Sequence, residues 1–157
     1  MTTTRALANA LLLIALLAQC AKPEKPPERL AVLLRTEPRM AFRVTLINRT
    51  SQPLRVCREN WAMPIGLIRP HVFALDGREL ELTSRALQGL AEVNETEHLR
   101  ELPPFGSLSG ILHPDLRNDY GVTNGEYELE VEYYCPVQGP HVERGLLRSN
   151  RVRFIVR

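Results

Sequence analysis

Apolar and polar side chains alternate most strictly between Gly125 and Cys135. Tyr127, Leu129, Val131, Tyr133 and Cys135 share one parity, and Glu126, Glu128, Glu130 and Glu132 share the other. A period of two sends successive side chains to opposite faces, so the stretch predicts a half-buried β-strand, opened by the Asn124-Gly125 turn. The C-terminal residues 150–157 alternate too, with Val152, Phe154 and Val156 set against Arg151, Arg153 and Arg157. Paired antiparallel, the two strands would lay arginine on glutamate outside and apolar on apolar inside.

The same reading finds further short strands. Leu30 to Arg35 is an apolar run broken at Glu37-Pro38, and Met40, Phe42, Val44 and Leu46 alternate toward a core side. A turn by composition over residues 48–53 leads to a strand over Leu54 to Arg58. Residues 60–71 carry two prolines and a glycine, and predict a loop packed on the fold. Val72 to Leu75, Asp76-Gly77 and Arg78 to Thr83 form the clearest hairpin signal. Residues 84–93 have helical spacing interrupted by Gly89. Residues 95–102 read as an edge strand or a loop, and Ser107 to His113 as extended chain. Asp115 to Tyr120 reads as a turn or a single helical turn. About seven or eight short strands separated by turns predict an all-β fold, a single β-sandwich over residues 30–157.

The N-terminus has a different pattern. One arginine, Arg5, precedes an apolar run over residues 6–18, too short to span a bilayer comfortably but suited to a signal-peptide core. Residues 21–29 are Pro-rich, charged and nearly devoid of apolar side chains, which predicts an extended spacer. Between them stands Leu17-Ala18-Gln19-Cys20, which resembles the bacterial lipobox, with Gln19 departing from the small residue usual before the cysteine. The resemblance implies cleavage after residue 19, a lipid on Cys20 as membrane anchor, and a tether over residues 20–29. A plain secretory signal with Cys20 as a stray thiol, or an uncleaved anchor, is the alternative. If the source has two membranes, Ala21 after the cysteine implies the outer membrane, facing the periplasm.

Composition narrows the function classes. The formal charge of +2 is a mixture of arginine and carboxylate, and no basic cluster with stacking aromatics supports nucleic-acid binding. Gly106-Ser-Leu-Ser-Gly110 places Leu108 where a nucleophile elbow needs serine. The histidines at 71, 98, 113 and 141 have no zinc-ligand spacing, so no metal or cofactor is expected. The glutamates of the alternating strand read as a solvated face neutralised by Arg151, Arg153 and Arg157. Two surfaces remain: the apolar stretch 61–68 around Trp61, and the connection 136–149, longer than a hairpin requires.

Taken together, Leu46 to Thr50, the Asp76-Gly77 hairpin and Gly125 to Val131 followed by Ser149 to Phe154 resemble bacterial immunoglobulin-like domains of exported lipoproteins. The resemblance implies that Tyr127 is a corner tyrosine whose hydroxyl returns to the preceding backbone. It also implies that Cys57 and Cys135, left as an even pair in an oxidising compartment, form a disulfide between two neighbouring antiparallel strands. Simple alternation from Leu54 and Val56 turns Cys57 away from the core, so a bulge would be needed there. The function that follows is a non-catalytic, membrane-anchored envelope lipoprotein. It would hold an unidentified envelope protein through sandwich-end loops, with His141, Glu143, Arg144, Leu146 and Trp61 as contact residues. A proteinase inhibitor presenting a loop to a peptidase is the alternative.

Overall fold

A computed structural model describes residues 28–57, 68–84, 99–135, 139–143 and 146–157. In chain order the elements are β1 (Leu30–Glu37), β2 (Ala41–Asn48), β3 (Leu54–Cys57), β4 (Ile68–Ala74), β5 (Leu99–Leu102) and β6 (Ser107–Leu112). A single-turn helix α1 (Leu116–Tyr120) follows, then β7 (Gly125–Tyr134), β8 (Leu146–Arg148) and β9 (Val152–Val156). The fold is all-β, with nine strands among the described residues, and every ladder between them is antiparallel.

One sheet has the order β1-β2-β6, and β3 pairs with β5 in a second. In the third, β7 lies between β4 on one flank and both β8 and β9 on the other. The alternation along β7 is realised: Leu129, Val131 and Tyr133 are buried. Opposite them the first sheet contributes Leu30, Val32, Leu34, Phe42, Val44 and Leu46, each buried. Phe42 meets Phe154 edge-on at 5.4 Å between the sheets, and Tyr127 stacks on Phe154 at 5.8 Å. Each such side chain contributes about 1.5–3 kcal/mol on leaving water, so this two-sided apolar layer is what holds the fold together. At the rim, the Asn150 side chain joins the sheets. Its Oδ1 accepts the Leu34 N–H at 2.9 Å and its Nδ2 donates to the Leu34 carbonyl at 3.1 Å.

Strand β4 begins at Ile68, four residues earlier than the apolar pattern suggested, and runs through Pro70. Proline is tolerated there because the even-numbered residues of β4 direct their backbone groups away from β7. Val72 and Ala74 bond instead to Leu80 and Arg78, and the Pro70 carbonyl accepts the Tyr120 hydroxyl. The hairpin turns at Asp76-Gly77 as expected, with Gly77 at φ +86°. Its second arm is shorter than expected. After the Phe73–Glu79 bridge the chain leaves β4, and Thr83 N–H bonds to the carbonyl of Asp119 in α1. Residues 1–27, 58–67, 85–98, 136–138 and 144–145 lie outside the described residues. With them lie the signal segment, Cys20, most of the tether, Trp61, Arg144 and all but the first residue of the expected 84–93 helix.

Candidate functional site

Strand β3 is entered through a sharp turn that Asn48 organises. Asn48 is 1% exposed, and its amide Nδ2 donates to the carbonyls of Gln52, Leu102 and Pro103, while Oδ1 accepts the N–H and hydroxyl of Thr50. One buried amide thus binds the 49–53 turn to the 103–106 turn. The chain entering from the tether is fixed beside them, since Arg49 N–H donates to the Arg29 carbonyl at 2.8 Å.

Cys57 and Cys135 form a disulfide with a Cα–Cα distance of 5.5 Å. Both cysteines are buried. The pairing geometry differs from the expected one. The sheet neighbour of β7 is β4, whereas β3 pairs with β5, so the disulfide joins two sheets rather than two adjacent strands. Cys57 also reaches the core without alternating against Val56, since both are buried. Tyr133 completes the corner. Its hydroxyl accepts the Cys57 N–H at 2.8 Å, and burial pushes the phenol well above its usual titration range.

The connection after β7 is tied down more than its length suggested. Leu146 to Arg148 form β8 against Glu132 to Tyr134. Residues 139–143 pack on β3: Arg55 N–H donates to the His141 carbonyl at 2.8 Å, and Glu143 N–H to the Arg55 carbonyl at 3.1 Å. Val142, in the middle of this connection, is buried in the core. His141 is exposed and holds a left-handed φ of +60°. Glu143 is mostly covered. Burial raises its carboxyl pKa, and Arg29 at 3.8 Å opposes that shift. Leu146 is 56% exposed and faces Tyr134, its partner in the ladder, which is 50% exposed. The structure therefore brings Leu146 and Tyr134 together beside the disulfide, and puts His141 and Glu143 on the edge of β3.

A second cluster occupies the outer face of the third sheet. The expected arginine–glutamate pairing is present: Arg153 lies 3.6 Å from Glu128, and Arg151 bonds to Glu130 at 3.0 Å. Arg157 does not join it; its backbone carbonyl accepts from Arg117 instead. Its place is taken by Arg148, 3.4 Å from both Glu130 and Glu132. This face is not simply solvated, because Glu130 and His71 are both buried. The His71 ring bonds through Nδ1 to Glu79 and directs Nε2 toward Glu132 at 3.6 Å. Arg151 lies over the Phe73 ring at 3.7 Å. A cleft of about 430 Å³ runs beside it, lined by Arg69, His71, Glu79 and Tyr120 among others. The signal for this cluster was the parity of β4: Arg69, His71 and Phe73 share the face opposite Glu128, Glu130 and Glu132. An apolar pattern that starts the strand at Val72 hides it. Among the described residues no three His, Cys, Asp or Glu side chains gather as a metal ion requires.

No protein-family model matches the chain, and no curated protein matches it in sequence.

Proposed function

We propose that this chain is an exported, lipid-anchored β-sandwich of immunoglobulin type that binds another protein of the cell envelope, without catalysis of its own. The observation that carries the binding reading is the exposed Tyr134–Leu146 pair, held on the β7–β8 ladder next to a buried disulfide. Aromatic and aliphatic side chains on a rigid support lose little freedom on binding, and such side chains serve as contact anchors. Export is supported by the Cys57–Cys135 disulfide, since such bonds persist in oxidising compartments. Support for the immunoglobulin type comes from Tyr127, whose hydroxyl accepts the N–H of Thr123 four residues back at 3.3 Å.

The test is a photo-crosslinking residue placed at Leu146 in living cells, compared with one at exposed His113 on the far side of β6. A discrete adduct at position 146, lost in a Tyr134→Arg variant that still folds, is the expected result. Equal adducts at both positions, or none at 146, place the partner elsewhere. Anchoring is read separately: labelled fatty acid should enter the protein and be abolished by Cys20→Ser. Labelling that survives that substitution overturns the lipid reading.

A further inference from the structure

Phe105 is a poor residue for its position by every internal criterion. It is 70% exposed, more than any other large hydrophobic side chain among the described residues. Its backbone is left-handed, φ +56°, where a residue with a Cβ is disfavoured by about 1–2 kcal/mol and glycine or asparagine fits without strain. Among the described residues no ring or cation stacks on the Phe105 ring. The turn cannot relax to fold it inward. Phe105 N–H donates to the Thr50 carbonyl at 3.2 Å, Gly106 N–H to the Pro103 carbonyl at 2.9 Å, and Asn48 holds Pro103 from below. A Cβ on Gly106 would lie 2.6 Å from the Pro103 ring, so the turn is closed on that side as well. A strained backbone that presents an apolar ring outward is the kind of feature retained when the ring meets something outside the fold.

Its location says what. The turn that receives the Phe105 N–H begins at Arg49, whose own N–H is bonded to Arg29, the last residue of the expected tether. Only eight residues, 21–28, separate Arg29 from Cys20, at most about 30 Å of extended chain. The end of the domain bearing Phe105 therefore stays nearest the anchor. Arg49 is exposed beside it, as is Arg29, which also lies 3.8 Å from Glu143; such cations suit anionic headgroups, and phenylalanine rings enter the boundary between headgroups and acyl chains. We infer that the Pro103–Gly106 turn is a membrane-contact surface, with Phe105 entering the interfacial layer of the bilayer that holds the anchor. This rests on the lipid-anchor reading. It fixes the tilt of the domain, and it leaves the Tyr134–Leu146 pair, on a different ladder, to a protein partner.

The experiment uses the full lipidated chain in vesicles of phosphatidylethanolamine and phosphatidylglycerol. Trp61→Phe removes the native tryptophan, and Phe105→Trp reports position through a blue shift and through quenching by lipids brominated near the headgroup. The same readout in the native Trp61 background, taken as a difference, covers a folding failure of the double variant. Expected are co-flotation with the vesicles, a blue shift and loss of emission. Co-flotation with unquenched emission overturns the membrane contact while the anchor stands. Failure to float overturns the anchor and the contact together. A blue shift that needs envelope protein and ignores brominated lipid assigns the ring to a protein partner and overturns the lipid contact. Phe105→Gly is the second arm. It should keep or raise the melting temperature; a lowered one shows that the ring serves the fold, and the inference falls.

Discussion

Asn48 shows how much of an all-β corner can depend on a single side chain. Its two amide hydrogens and one carbonyl oxygen engage two turns, at the point where the β2–β6 ladder ends and the β3–β5 ladder begins. Asn48→Ala takes the side-chain donor from the Leu102 and Pro103 carbonyls and the acceptor from the Thr50 N–H, in a place only partly open to water. We expect a loss of about 2–3 kcal/mol in urea denaturation, the size set by unmet buried polar groups rather than by lost packing. Asn48→Asp should do no better, since its carboxylate would face three carbonyl oxygens. A variant at full stability in either case would mean that the corner is held by its ladders alone. In the sequence this residue read only as the start of a turn. Nothing in a linear pattern says that one amide will meet carbonyls some 54 residues away.

At the scale of elements, the pairing of β7 with β9 was legible because each carries its own period of two and the charges are opposite in sign. Tyr127 faces Phe154 and Glu128 faces Arg153 in the ladder, as alternation requires. What the pattern did not reveal was the neighbour on the other flank. Pro70 argued against a strand there, yet its missing N–H falls on the side that β7 does not use. For a related reason the pattern over residues 136–149 does not show its pairing. Length without strong alternation looks like a free loop, but Val142 is buried and Leu146–Arg148 form a strand. The β9 register can be tested by charge. Arg153→Glu would set like charges across the ladder at a well-exposed position and should cost about 0.5 kcal/mol at low salt. That loss should shrink at high ionic strength, as a screened surface contact requires. A loss unaffected by salt would point to packing instead.

For the whole molecule, the disulfide matters because it joins β3 to the end of β7, two strands that share no ladder among the described residues. It spans a sequence separation of 78 residues, and removing it by Cys57→Ser with Cys135→Ser should lower stability by about 2–4 kcal/mol. Thiol titration of the exported, denatured protein should find neither cysteine free. Two reactive thiols at that point would remove the bond from the account. That the two cysteines pair followed from the resemblance to exported domains, with Cys20 set aside for a lipid. That they pair between sheets did not, because it depends on β4 rather than β3 lying beside β7. The Asn150 amide has a mechanical consequence of the same long-range kind. A pull applied at Arg29 would peel Leu30 to Leu33 from β2 one rung at a time, since each rung there is loaded alone. At Leu34 both backbone groups are gripped by Asn150, so the load passes to the opposite sheet, and the domain resists as two layers at once.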